Sequence, residues 1–295
     1  MGIQKRRGDT AFSIFFLSPA FIIYTIFVTT SIGLSLYYAS LKWNGIGKGV
    51  FIGIQNYIDL VKDPEYWQVT KNSFTLVLLA MVIQNPLGLF LAYLISRIKF
   101  GYKVIRSVIF LPVVIAAATT ALMFQLLLNN DIGITNRLLQ TIGLGFLQRV
   151  WLSDPKVVIF AVGLPQVWQY LGIQFMLFLA AIESIPQEIL ESARMDGATG
   201  LTFIWRILIP LVWETIQICI ILTVTGSLKA FDFSWIMTWG GPGISSAYIS
   251  VLMYRYAFKG FNFSYGTTIA MTILIYSVVF TYIFRKVFGK KGVQY

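Results

Sequence analysis

Long apolar stretches alternate with short polar ones along this chain, and the repeat is far too long for strands. Six stretches reach the roughly 20 residues needed to cross a hydrocarbon core of about 30 Å. They lie near residues 12–37, 73–95, 107–128, 157–182, 211–237 and 267–284. Backbone polar groups in lipid must be satisfied inside the segment itself, so each stretch is predicted to be a helix. The pattern therefore specifies an all-α membrane protein with six transmembrane helices. No strong internal repeat or low-complexity linker interrupts it, so residues 1–295 read as one membrane domain.

The polar breaks carry turn signals: Asn44-Gly45, Asp63-Pro64, Asp154-Pro155 and Gly240-Gly241-Pro242-Gly243. Inside the second span, Gln84-Asn85-Pro86 is a polar point where proline removes a rung of the helix ladder, predicting first a kink and second a site. The segments 38–72, 129–156 and 238–266 are too small to form a separate solute-binding domain. A solute captured from outside must then be captured by another protein.

Composition agrees, since 57% apolar and only 12% charged residues cannot solvate a soluble globule of 295 residues. The 24 Phe, 15 Tyr and 8 Trp suit aromatic belts at two membrane interfaces. Charge sets the expected orientation. With six spans, the N-terminus, the 96–106 and 183–210 loops and the C-terminus share one side. That side holds Lys5, Arg6, Arg7, Arg97, Lys99, Lys103, Arg106, Arg194, Arg206, Arg285, Lys286, Lys290 and Lys291, the larger share of the basic residues. Basic residues in short loops resist translocation, so this side is expected to be cytoplasmic. The Lys5-Arg6-Arg7 cluster precedes no convincing cleavage site, and the first span is expected to remain in the mature chain. A net charge of +11 then reflects topological bias and attraction to anionic lipid rather than nucleic-acid binding.

Enzymatic chemistry finds little support. There is no histidine, the one cysteine (Cys219) lies in an apolar run, and no Gly-rich loop ends in Gly-Lys-Ser/Thr. The chain has no intrachain disulfide, no credible triad and no nucleotide-phosphate loop, and neither a metal nor a cofactor of its own is expected.

The polar island at 183–210 is the informative exception to the apolar pattern. Ser184, Pro186 and Gln187 have the form of a helix start, and Gly197 suits its stop. A second helix is predicted to end at Pro210. Glu188, Glu191 and Met195 recur on one face of the first helix, while Ala193, Gly197 and Ala198 are small enough to let a partner approach the backbone. Four acids (Glu183, Glu188, Glu191, Asp196) against two arginines (Arg194, Arg206) is the wrong balance for a helix pair lying on an anionic lipid surface.

Glu191-Ser192-Ala193, Asp196-Gly197-Ala198 and Ile207-Leu208-Ile209-Pro210 resemble the EAA loop of ABC importer permeases. Ser192 stands where a second alanine is usual, Ile209 replaces leucine, and Glu214 stands where many relatives have another proline. The likeness extends along the chain. Phe110-Leu111-Pro112, Gly133 with Asn136, Trp151-Leu152-Ser153-Asp154-Pro155, and Phe231-Asp232 with Thr238-Trp239-Gly240-Gly241-Pro242 are similar to the carbohydrate-importer permeases of the MalF and UgpA type.

The resemblance implies a type I ABC importer permease fold in a bacterial cytoplasmic (inner) membrane, with both termini cytoplasmic. It also implies four kinds of partner: a second, MalG-like permease, two copies of an ATPase subunit carrying ATP and magnesium, an extracytoplasmic solute-binding protein, and a sugar. Glu188, Glu191, Ala193, Asp196, Gly197, Ala198, Ile207 and Pro210 would couple the spans to the ATPase.

Polar side chains inside spans are costly, at about 2.5 to 3.5 kcal/mol for Asp, Lys or Arg, and so mark wet or protein-lined interiors. The fourth span carries Gln166, Trp168, Gln169, Tyr170 and Gln174, with Gln166, Tyr170 and Gln174 on one face. Amides and rings suit a sugar's hydroxyls and C–H faces. Interhelical bonding or an interface belt would account for the same residues. Trp168 matches the tryptophan lining the sugar path in similar permeases, and Gln166 and Trp168 are the favoured contacts. In the fifth span Lys229 and Asp232, three apart, can pair on one face with Phe231 between them, and relatives place this stretch near the solute. Three other readings remain open. The cargo could be glycerol phosphate or a related phosphodiester, the chain could be an ion-coupled secondary transporter, or it could be a non-transporting scaffold.

Overall fold

A computed structural model describes residues 7–98, 100–198 and 200–289. Lys5, Arg6, Lys99, Lys290 and Lys291, counted in the charge bias, lie outside the described residues, as do the side chains of Arg7 and Arg194.

The first apolar run folds as α1 (Arg7–Tyr24), a π turn (Thr25–Thr29) and α2 (Thr30–Ala39). A two-stranded ribbon follows, β1 (Leu41–Lys42) antiparallel to β2 (Val50–Phe51), then α3 (Gln55–Lys62). The second run is α4 (Pro64–Ile95), started by Asp63, whose carboxylate accepts the Glu65 N–H at 2.9 Å, with Pro64 in the first turn. α4 stays helical through Pro86. The third run is α5 (Tyr102–Val114) and α6 (Ala117–Leu127), bent by 92° where a single straight helix was expected. Beyond it comes α7 (Ile134–Thr141).

The fourth run is α8 (Val158–Glu183). The polar island gives α9 (Gln187–Met195), α10 (Gly200–Phe203), a π turn (Ile204–Leu208) and α11 (Ile209–Leu211), so helix persists one residue past Pro210. The fifth run is α12 (Trp213–Leu228) and α13 (Asp232–Thr238), and the sixth, after α14 (Ile249–Tyr254) and a third π turn (Arg255–Lys259), is α15 (Phe263–Phe288). Among the described residues four helical stretches are individually long and apolar enough to cross a membrane, and the count reaches six if each bent pair is one span, the number the sequence predicts.

By backbone proximity the chain divides into two compact units, Met1–Lys62 with Met253–Met271 and Asp63–Leu252 with Thr272–Tyr295. In the first, the Asn56 amide donates to the Ala39 and Leu41 carbonyls, both at 2.7 Å, and so fastens α3 beneath the ribbon. In the second, α4 and α8 pack along one another through two apolar cores. One contains Leu76, Ala80, Val158, Val162, Phe233 and Tyr248. The other contains Ala92, Phe175, Phe178, Leu179, Ala193 and Phe203. Between these cores, on both helices, the residues are polar: Gln84 and Asn85 on α4, Gln166, Gln169 and Gln174 on α8. That interruption positions the site.

Candidate solute path and coupling surface

The polar layer surrounds a cavity of about 350 Å³. Its wall includes Gln84 from α4, Gln166, Tyr170 and Gln174 from α8, and Thr223, Ser227, Lys229, Phe231 and Asp232 from α12 and the chain leading into α13. On one side the amides are locked together. Gln84 Nε2 donates to Gln174 Oε1 (2.6 Å) and to the Tyr170 carbonyl (3.0 Å). Asn85 Nδ2 and Gln174 Nε2 each donate to Thr223 Oγ1 at 3.1 Å. Three helices are thus tied through one threonine hydroxyl. Elsewhere on the wall Gln166 is 8% exposed, and its Oε1 has no hydrogen-bond partner within the described residues.

Lys229 and Asp232 both reach the cavity but make no ion pair with each other. The expected pairing assumed a continuous helix. Instead α12 ends at Leu228, and the non-helical backbone of Phe231 (φ −138°, ψ −54°) carries the chain to a new start at Asp232, so i, i+3 geometry is lost. The Ala230 carbonyl, freed at this break, accepts the Ser250 hydroxyl.

Two of the singled-out fourth-span residues stand apart from the cavity. Trp168 is 42% exposed, packs edge-on against Phe124 (5.5 Å between centroids) and lines a separate apolar cleft with Trp151. Gln169 points to the third run, where its Nε2 donates to the Ile115 carbonyl at 2.7 Å. That carbonyl is at the bend between α5 and α6, so the amide supplies a partner where the ladder stops. Thr223 and Ser227 were not singled out from sequence. Their signal was a hydroxyl pair at i, i+4 in the second half of α12.

The candidate coupling surface is built around a glycine stop. Gly197 has φ +79°, the left-handed conformation, and the Ala198 N–H returns to the Ala193 carbonyl at 3.0 Å, closing α9 in a Schellman arrangement. Glu188, Glu191 and Asp196 are exposed, and Met195 is 88% exposed. Glu188, Ser192, Asp196 and Ile207 rim a shallow depression whose floor is Ala193. Only 6% exposed, Ala193 packs into the protein's own core, with Ala198 and Ile207 beside it, rather than standing open on the surface. Pro210 lies inside α11.

Residues 84–291, more than half the chain, match the family described as the binding-protein-dependent transport system inner membrane component. The probable ABC transporter permease protein PH1215 of Pyrococcus horikoshii is 33% identical over 280 residues, covering 94% of this chain and 95% of that protein. The multiple sugar-binding transport system permease protein MsmF of Streptococcus mutans is 28% identical over 261 residues, 88% of this chain and 89% of its own. Among solved structures, one chain of a bacterial alginate ABC transporter, in complex with an alginate pentasaccharide-bound periplasmic protein, superposes with a TM-score of 0.80 at 23% identity, covering 99% of both chains. The exposed helix–glycine–helix turn at one end of α8 and the polar cavity midway along it are therefore features of a transport subunit, and the chain belongs to the inner-membrane permease family of binding-protein-dependent ABC transporters.

Proposed function

We propose that this chain is the membrane-spanning subunit through which an ATP-driven importer takes up a sugar, an oligosaccharide handed over by an extracytoplasmic binding protein. The cavity between the two apolar cores carries the proposal. Its volume of about 350 Å³ falls in the range of small-molecule pockets. Its wall combines amides, hydroxyls and the Tyr170 and Phe231 rings, the mixture that hydroxylated rings require. One cation and one anion face it, which favours a neutral solute over a phosphodiester. A sugar-transport relative such as MsmF supports the same assignment.

In this reading the 183–210 turn, the termini and the 96–106 loop are cytoplasmic. Exposed Glu188, Glu191 and Asp196 engage one of two ATPase subunits, which hold the ATP and its magnesium, and a second permease completes the channel. ATPase closure moves α9, and α8 passes that motion to the cavity wall. The arrangement is tested by Gln166→Leu and Asp232→Ala in the complete transporter reconstituted in liposomes. Each should lower solute uptake about 3- to 30-fold, the weight of one or two hydrogen bonds, while basal ATPase activity and assembly are retained. Undiminished uptake by both variants would exclude this cavity as the path.

A further inference from the structure

The loop between α6 and α8 contains a helix with its polarity reversed. In α7, Thr135, Asn136 and Leu139 face the protein, and the two polar ones are consumed there. Thr135 Oγ1 donates to the Leu127 carbonyl at 2.7 Å. Asn136 Nδ2 donates to the Arg149 carbonyl at 3.0 Å, Asn136 Oδ1 accepts the Trp151 indole N–H at 2.8 Å, and Gln148 Nε2 reaches the Asn136 carbonyl at 2.7 Å. The adjoining sector shows Ile134, Leu138 and, just beyond the helix, Ile142, between 50% and 64% exposed. On the flank between these faces lie the exposed polar residues Arg137 and Gln140. Helical spacing thus sorts α7 into three sectors: one on the protein, one polar, one apolar and uncovered.

A water-facing helix would turn Thr135 and Asn136 outward and Ile134 and Leu138 inward. We propose that α7 is an interfacial helix, its Ile134–Leu138–Ile142 face lying in the headgroup–acyl boundary of the bilayer at the end of the spans opposite the 183–210 turn. Three observations favour lipid as the occupant. The Thr135 hydroxyl ties the first turn of α7 to the last carbonyls of α6, so the helix sits at the depth where an apolar span ends. Exposed apolar residues stand on both sides of the polar Asn129-Asn130-Asp131 turn, Leu122 and Leu126 on α6 before it and Ile132, Ile134 and Leu138 after it. Arg137 is exposed on the flank of that face, suitably placed for anionic headgroups. α8 is 26 residues long, about 39 Å of helix, which separates this end from the 183–210 turn. The inference does not depend on what is transported.

The test places a nitroxide at position 138 or 134 (Leu138→Cys, Ile134→Cys), with Gln140→Cys as the polar-flank control, each in a Cys219→Ala background. The complete transporter is held in phosphatidylethanolamine–phosphatidylglycerol nanodiscs. Relaxation by oxygen relative to a water-soluble nickel chelate should be several-fold higher at 138 and 134 than at 140. Strong nickel relaxation at 138, equal to that at 140, would mean water and overturn the proposal. Protection of 138 from both reagents would mean that a protein partner covers the face, and would overturn it equally. Two independent lipid-face positions guard against one label disturbing its own site.

Discussion

At the scale of single residues, close approach between helices decides more than polarity does. Gly172 of α8 lies against α5, where an added Cβ would come within 2.8 Å of Val113 Cγ2 and 2.9 Å of the Ile109 carbonyl oxygen. Part of that obstruction is backbone and cannot swing aside. Gly172→Ala should therefore cost about 1–3 kcal/mol through overpacking. In a thermal unfolding assay of detergent-purified protein it should lower the midpoint, whereas Gly33→Ala inside α2, whose Cβ would meet nothing within 4 Å, should leave it unlowered or raise it slightly. No local signal in the sequence separates these two glycines. Trp168 teaches a related point. Helical spacing put Gln166, Tyr170 and Gln174 on one face and left Trp168 on another, and the structure follows the spacing. The resemblance to sugar-path tryptophans places Trp168 on the path, whereas its ring lines an apolar cleft separate from the polar cavity.

Among elements, the spans themselves were legible because their signal is length: about 20 apolar residues leave no other economical backbone in lipid. Breaks within spans were not. The α5–α6 bend falls at Ile115–Ala116, with no glycine or proline at the break, while Pro86, Pro112 and Pro165 all lie inside uninterrupted helices. What stabilises the bend is Gln169 from another helix, a tertiary contact that no local pattern encodes. The amide network is similar: sequence marked Gln84, Asn85 and Gln174 as polar points but could not join them. Their junction, Thr223 Oγ1, accepts from both α4 and α8. Thr223→Val keeps the shape and strands two buried amide donors, so it should destabilise the bundle by about 1–3 kcal/mol. Membrane hydrogen bonds average nearer 0.6 kcal/mol, so a loss below that figure would show that the two amides find other partners. Denaturant titration of the purified chain in mixed micelles measures the difference.

For the whole molecule, a transporter must carry force from an exposed turn to a cavity midway along its helices, and the second unit contains a continuous packed route for it. α9 seats Ala193 in the same core as Phe175, Phe178 and Leu179 of α8, and Phe203 beyond the glycine stop stacks on Tyr93 of α4 at 6.1 Å. The Arg97 guanidinium lies 4.3 Å from the Tyr93 centroid and 5.9 Å from that of Phe203, so α4 and α10 are clasped at the same level. Gly197 is the pivot that lets α9 and α10 both reach this core. Its φ of +79° costs a residue with a Cβ roughly 1–2 kcal/mol, more for a β-branched one, and the strain would be relieved by unwinding the end of α9. Gly197→Val should leave the spans inserted, because the site is exposed and no atom lies within 4 Å of a new Cβ. Binding-protein-stimulated ATP hydrolysis and uptake should fall together, by about tenfold or more if the full strain is expressed at the docking face. Measuring both activities in proteoliposomes, alongside the amount of assembled complex, separates this outcome from simple misfolding. Wild-type stimulation from a correctly assembled Gly197→Val transporter would mean that the turn does not carry the coupling.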